Sequence, residues 1–288
     1  EIRDEIYIQL IKQYRNNPNP DKVVRVWRLF GLISSAIAPS ESLYYPLLNY
    51  LMSIAVNEEI DEEIRRFARF TFKRVHRAFE DEARKREPSA DEVNYVEARK
   101  QIMIPVYFLT GNHTFVAIES YSNAQEVKEL LLKKLQIEKT KWPYLGLYEI
   151  VDRKDHLEER FVENHERICD VLAIWDIDKA QNKQDKNDYK LYLKVRVFFR
   201  LYDHDIDAVV MYYTQCVYDI IHSRIPLTEE EGYHMCALQL QIDWGDFSER
   251  NKVHFMEKFA EYVPVRQINN HTAEEWWAKI QPFWTNLK

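Results

Sequence analysis

Asp4-Glu5-Ile6-Tyr7-Ile8-Gln9-Leu10-Ile11-Lys12-Gln13, closed by Asn16-Asn17-Pro18-Asn19-Pro20, is the stretch on which the reading of this chain turns. Ile2, Ile6, Leu10 and Tyr14, with Ile11 beside them, recur at helical spacing and predict one apolar stripe. The two prolines end that helix, because proline lacks the amide donor and disfavours a helical residue before it. An ordinary amphipathic helix accounts for the stripe. It does not account for Asp-Glu-Ile-Tyr, Gln and Lys-Gln standing together ahead of an Asn-Pro break.

Outward from this stretch, residues 22 to 37 predict a second helix, with Val23, Val26, Trp27, Leu29, Phe30, Ile33 and Ile37 covering a wide face. Ala38-Pro39-Ser40 ends it, and the Ser40 hydroxyl can cap a third helix that carries Leu43, Leu47, Leu48 and Leu51. A long helix is expected from 61 to 86. Asp61, Glu62 and Glu63 meet the positive end of its dipole. Ile64, Phe67, Ala68, Thr71, Val75 and Ala78 fall on one face, and Arg65, Arg66, Arg69, Lys73 and Arg77 on the opposite one. Glu87-Pro88-Ser89 closes it, and Ser89 with Glu92 fits a capping box for a short last helix. The connector from 93 to 100 holds no glycine, serine or proline, so the first region and the next are expected to form one rigid unit with a peptide groove between them.

After residue 100 the pattern changes. Residues 102 to 109 and 114 to 118 flank Thr110-Gly111-Asn112-His113, a hairpin signal. A helix follows from 123 to 135, a strand from 144 to 151, a short apolar helix from 168 to 175 and a polar loop from 179 to 188. Leu191, Leu193, Val195, Val197 and Phe199 alternate as a final strand. That order is the order of a ubiquitin-like fold. From 201 onward helices return: 207 to 222 with a Val209, Tyr213, Val217, Ile220 stripe, 233 to 242, 253 to 262, and a last one bearing Trp276, Trp277 and Ile280. Thr228 with Glu231 and Thr272 with Glu275 form capping boxes. Trp276, Trp277, Phe283 and Trp284 read as core.

The chain's 288 residues suffice for about two domains and a sizeable core. Only 5 glycines among them argue for helix and against glycine-rich phosphate cradles. The 3 cysteines, Cys169, Cys216 and Cys236, are widely spaced and suggest neither a disulfide framework nor a zinc site. No apolar run reaches membrane-spanning length, and no signal peptide is expected. Residues 1–100 hold 17 basic and 17 acidic side chains, so the net charge of −7 belongs wholly to the remainder. That acidic bias excludes nonspecific nucleic-acid binding there and argues against phosphoinositides.

The opening stretch, followed in order by Val26-Trp27-Arg28-Leu29-Phe30, Ala38-Pro39-Ser40, Leu47-Leu48-Asn49-Tyr50-Leu51 and Pro88-Ser89 with Glu92-Val93, resembles the myosin tail homology 4 domain. Ile168-Cys169-Asp170-Val171-Leu172 and Phe198-Phe199-Arg200 resemble the FERM domain that usually follows it. The resemblance implies a multidomain, mainly α fold with one α+β domain. An N-terminally incomplete helical bundle (1–100) precedes a ubiquitin-like β-grasp first lobe (101–200) and an acyl-CoA-binding-protein-like helical second lobe (201–288), with the third FERM lobe missing. It also implies a non-catalytic, cytoplasmic, cytoskeleton-associated tail fragment of an unconventional myosin. Its partners would be adaptor or receptor peptides and, as a further candidate, microtubules, with actin reached only through the absent ATPase motor and membrane only indirectly. A kinesin-like motor or a motor-free scaffold with the same domains is the alternative.

No cofactor or metal is expected. Glu163-Asn164-His165-Glu166 lacks a second histidine for a metalloprotease pair, and His204 between Asp203 and Asp205 has no further spaced ligands. Asn112-His113-Thr114 and Asn270-His271-Thr272 match the glycosylation acceptor but are discounted in a cytoplasmic chain. The candidate partner-binding residues are therefore the basic row Arg65, Arg66, Arg69, Lys73 and Arg77. Cations at steps of three and four stand about 5–6 Å apart and attract an acidic polymer surface. The competing reading is a solvated face balanced by Glu58, Glu59, Glu80, Asp81 and Glu82.

Overall fold

The computed structural model describes residues 2–80, 84–153, 156–181, 187–202 and 204–287. The chain divides into two compact units, Glu1–Arg196 and Val197–Lys288.

The first unit begins with a helical bundle: α1 (Ile2–Tyr14), α2 (Pro20–Ala36), α3 (Glu41–Val56), α4 (Glu62–Glu80) and α5 (Ala90–Glu97). Asn19 caps α2 by accepting the Lys22 amide, with Pro20 in the first turn where its missing donor costs nothing. Two residues of the opening stretch explain its composition. Asp4 Oδ1 accepts the Ser40 amide at 2.8 Å, and the Tyr7 hydroxyl donates to the Ile37 carbonyl at 2.5 Å. Together they clip α1 to the elbow between α2 and α3. Tyr7 is fully buried while Ile2 is 85% exposed, so the stripe runs through Tyr7, Leu10 and Tyr14 rather than starting at Ile2. Trp27 and Phe30 stack at 5.4 Å and join Leu47, Leu51, Phe67 and Val75 in the core.

Two expectations for the end of the bundle are corrected. The long helix does not run to Arg86: helix is described to Glu80, and Arg84 to Arg86 are not helical. The Ser89 hydroxyl caps α5 at the Glu92 amide, but Glu92 does not complete a box, because its carboxylate is taken by Arg84.

A five-stranded sheet of order β2-β1-β5-β3-β4 follows in the same unit. It comprises β1 (Ile102–Tyr107), β2 (His113–Ile118), β3 (Leu145–Asp152), β4 (Leu157–Phe161) and β5 (Asp188–Val195). The β1–β2 hairpin turns at Gly111, whose φ of +87° suits glycine. The parallel pairing of β1 with β5 puts Val106 beside Leu191, and β3 runs antiparallel to β5 with Leu147 opposite Leu193. This alternation sends Ile104, Val106, Leu147, Leu191 and Leu193 to one buried face, together with Val127 and Leu131 of α6 (Ala124–Lys134). The crossover helix α7 (Ile168–Gln181) is longer than the stretch 168 to 175 expected from its apolar run, and it occupies the start of the expected polar loop. Strand β4 was not foreseen. Strand β5 ends at Val195, leaving the exposed Val197, and Phe199, outside the expected final strand.

The second unit holds α8 (Ile206–Ile221), α9 (Glu229–Trp244), α10 (Lys252–Tyr262) and α11 (Ala273–Thr285). Both expected capping boxes are present. Trp276, Trp277, Ile280 and Trp284 are buried with Phe255 and Leu240. The expected α8 stripe is rotated: Ala208, Tyr212 and Gln215 are buried, and Val209 is exposed. Tyr212 sets this rotation, since its hydroxyl donates to the Phe199 carbonyl at 2.7 Å and accepts the Phe199 amide.

Candidate functional site: a helix with two charged faces

Helix α4 starts where the Asp61 carboxylate accepts the Glu63 amide at 2.8 Å. Its apolar arc of Ile64, Phe67, Ala68, Thr71, Val75 and Ala78 is buried as expected. Arg74 lies within that same arc and is 3% exposed. The arginines therefore serve two different environments.

On the outward side, Arg65, Arg66 and Arg69 converge on one carboxylate, Glu62, at 2.6, 3.0 and 2.8 Å. Arg69 also donates to the Ala55 carbonyl at 3.0 Å. The Arg66 hydrogen bond, with the charges of Arg65 and Arg69, holds Glu62 below the usual carboxylate range. Lys73 is exposed and makes no ion pair among the described residues. The balance of charge thus comes chiefly from Glu62. Asp81 and Glu82 of the competing reading lie outside the described residues.

On the inward side, Arg77 does not continue the outward row. Its Nη2 meets Glu126 of α6 at 2.5 Å and its guanidinium lies 5.3 Å from the Tyr121 ring. Glu126 at the same time accepts the Asn123 amide in the α6 capping box. Arg74 stacks 3.6 Å above Phe70, approaches Tyr121 at 5.5 Å and donates to Glu119 at 3.2 Å. Burial, partly opposed by Glu119, draws the Arg74 pKa down from its ordinary value.

Two more arginines, neither singled out in the sequence, complete this junction between bundle and sheet domain. Arg84, its side chain 1% exposed, grips Glu92 with two nitrogens and brings Nε to 3.1 Å from Asp170 of α7. Burial alone would lower its pKa; the Glu92 hydrogen bond and the charges of Glu92 and Asp170 outweigh burial and raise it. The Lys85 amide also donates to Asp170, at 3.1 Å. Arg167, just before α7, reaches back to the Ser35 carbonyl of α2 at 3.1 Å. Guanidinium forks suit such sites because they stay charged and match carboxylates geometrically.

Two of the remaining candidates have structural roles, and Asp203 lies outside the described residues. Asp205 caps α8 by accepting the Ala208 amide at 3.2 Å, and Glu166 accepts both Arg160 and the Glu163 amide. Among the described residues no group of three histidines, cysteines or carboxylates could hold a metal, and no helix is long and apolar enough to cross a membrane. A groove of about 360 Å³ opens within the β-grasp domain between α7 and the β3–β4 edge, floored by Val151, Ile174 and Trp175. Its carboxylates already have partners, as Glu149 does in Arg160 and Trp175.

A helical bundle tied by arginines to a β-grasp domain, followed by a helical lobe, makes a multidomain, mainly helical protein with one α+β domain. Family models match along the chain as a MyTH4 domain (residues 1–95), an RA-like domain (100–197) and a FERM central domain (203–288). The chain thus carries the sequence patterns of a MyTH4 domain and of a FERM central domain, in that order. The fold is similar to that of the Dictyostelium discoideum myosin VII MyTH4-FERM MF1 domain. That match has a TM-score of 0.81 and 21% identity, over 98% of this chain and 57% of that one. It is also similar to the C-terminal MyTH4-FERM domain of human myosin 7b, solved in complex with the harmonin-a PDZ3 domain. There the TM-score is 0.66 with 19% identity, over 98% and 57% of the two chains. Drosophila melanogaster myosin-VIIa is 28% identical over 83% of this chain, and the rice kinesin-like protein KIN-14I is 27% identical over 85%. The chain spans 11% and 20% of the lengths of those two relatives.

Proposed function

We propose that this chain is a cargo- and cytoskeleton-binding tail module of an unconventional myosin, presenting fixed surfaces to adaptor or receptor peptides and to microtubules. Its domains are placed at about 1–100, 101–200 and 201–288, and its setting in the cytoskeleton-associated cytoplasm. The observation that carries the reading is the junction. Four buried or half-buried arginines hold the bundle and the sheet domain in one unit, so a surface spanning both is preorganised and costs little ordering when a peptide docks. The myosin-VIIa relative favours a myosin, and the human myosin 7b complex with a PDZ domain favours protein partners. The kinesin-like relatives favour microtubules as the second partner class, and a kinesin-like parent is the alternative.

Selection of a displayed peptide library against the purified chain tests the peptide reading. We expect a shared motif that binds the intact chain and is lost in Arg77→Glu with Glu126 intact. Failure to enrich any motif sinks the peptide reading. Co-sedimentation with microtubules tests the second partner class.

A further inference from the structure

Five basic residues along α4 carry the sequence argument for an acidic partner, yet the structure leaves most of them engaged. Arg65, Arg66 and Arg69 share Glu62, and Arg77 is turned toward Glu126. An incoming anion would have to displace an internal carboxylate at each of these. Helix α2 offers the opposite situation. Its buried side is fixed by Trp27, Phe30 and Gly31, so its outward face cannot rotate. That face carries Lys22, Arg25 and Arg28, all exposed, none with an ion pair or hydrogen bond from its side chain among the described residues. Steps of three residues spread these cations over about 9 Å of helix. Leu29, 47% exposed, lies among them. Asp21 is the acid of that face and makes no ion pair.

We infer that the outward face of α2, through Lys22, Arg25 and Arg28, is the principal contact of this chain with the acidic surface of the microtubule lattice. The placement rests on the microtubule reading above and changes where it is located. Unpaired cations keep their whole field for an external partner, and their spacing matches an acidic helix face whose carboxylates recur about 5–6 Å apart. Leu29 adds apolar contact at the centre. The α4 row contributes less, through Lys73 and the solvent side of Arg66 and Arg69.

The test is co-sedimentation of the whole chain with stabilised microtubules at about 25 mM and about 150 mM salt, where screening differs strongly. K22E/R25E/R28E is expected to weaken binding on the order of tenfold at the lower salt. R65E/R69E/K73E is expected to weaken it less. Exposed α2 positions should leave the melting temperature unchanged. If the reversal variant melts early, K22Q/R25Q/R28Q replaces it, with the same ranking expected and a shallower salt dependence than the parent chain. Unchanged binding by the α2 variants, or a larger loss from the α4 variant, overturns the placement and leaves microtubule binding standing. Absence of binding by the parent chain overturns both.

Discussion

The junction inside the first unit and the core of the second unit solve the same packing problem with opposite materials. In the first, Arg74, Arg77, Arg84 and Arg167 meet carboxylates and a carbonyl across the boundary between bundle and sheet. In the second, Trp276, Trp277, Trp284 and Phe255 fill the interior with rings, Trp284 lying 5.9 Å from Trp277. Aromatic burial gives more stability per residue and little directional control. Buried ion pairs give little net stability, since desolvation offsets their attraction, but a wrong register leaves charges unpaired. The contrast teaches that the junction is built for fixed geometry and the helical lobe for cohesion.

The comparison can be attacked at several points. Trp284→Ala should cost about 3–5 kcal/mol, read as lost hydrogen-exchange protection in the second unit, because it empties a fully buried site and strands Gln241 and the Gly245 carbonyl. Arg84→Ala should cost about 3 kcal/mol in the first unit, because Glu92 and Asp170 are left without their cation. The set Arg84→Met, Glu92→Leu and Asp170→Asn, which removes all three charges, should return to within about 1 kcal/mol of the parent chain. A triple variant as unstable as Arg84→Ala would break the claim that the cluster fixes geometry rather than supplying stability.

Smaller effects sharpen the picture. Gly146→Ala should destabilise the sheet by about 1–3 kcal/mol, because a Cβ there would stand 2.7 Å from the Phe161 ring. Asp4→Ala should cost about 1 kcal/mol through the lost bond to Ser40. The Ser40 hydrogen bonds hold the Asp4 pKa below 3.8. Its contribution is therefore present above that pH and disappears as pH falls through the lowered value. Acid titration of the first unit's melting temperature should show this loss in the parent chain and not in the variant.

Local chemistry was legible where the deciding residues have no competing partner, unlike Glu92, whose carboxylate Arg84 takes from the expected Ser89 box. The hairpin at Gly111 and the boxes Thr228/Glu231 and Thr272/Glu275 needed no distant partner. Strand β4 was illegible because Leu157-Glu158-Glu159-Arg160-Phe161 has apolar residues only at its ends, and its pairing with β3 is what makes it a strand. The α8 face was misread because Tyr212 answers to the Phe199 backbone rather than to periodicity. For the candidate site, the basic row was visible but its neutralisation was not drawn from the spacing. Glu62 precedes Arg65, Arg66 and Arg69 by three, four and seven residues, which places all three within its reach. Arg74 has its partner Glu119 in another domain, and Arg84 meets Glu92 and Asp170 only once the fold brings α5 and α7 together.

The four arginine ties have a mechanical consequence. They join the bundle to the sheet domain at separate points, with the covalent backbone near Lys100 as one more. Fastenings arranged side by side share tension and must give way together, whereas a lone hinge peels open step by step. A pull exerted across the first unit is accordingly transmitted through it with little stretch.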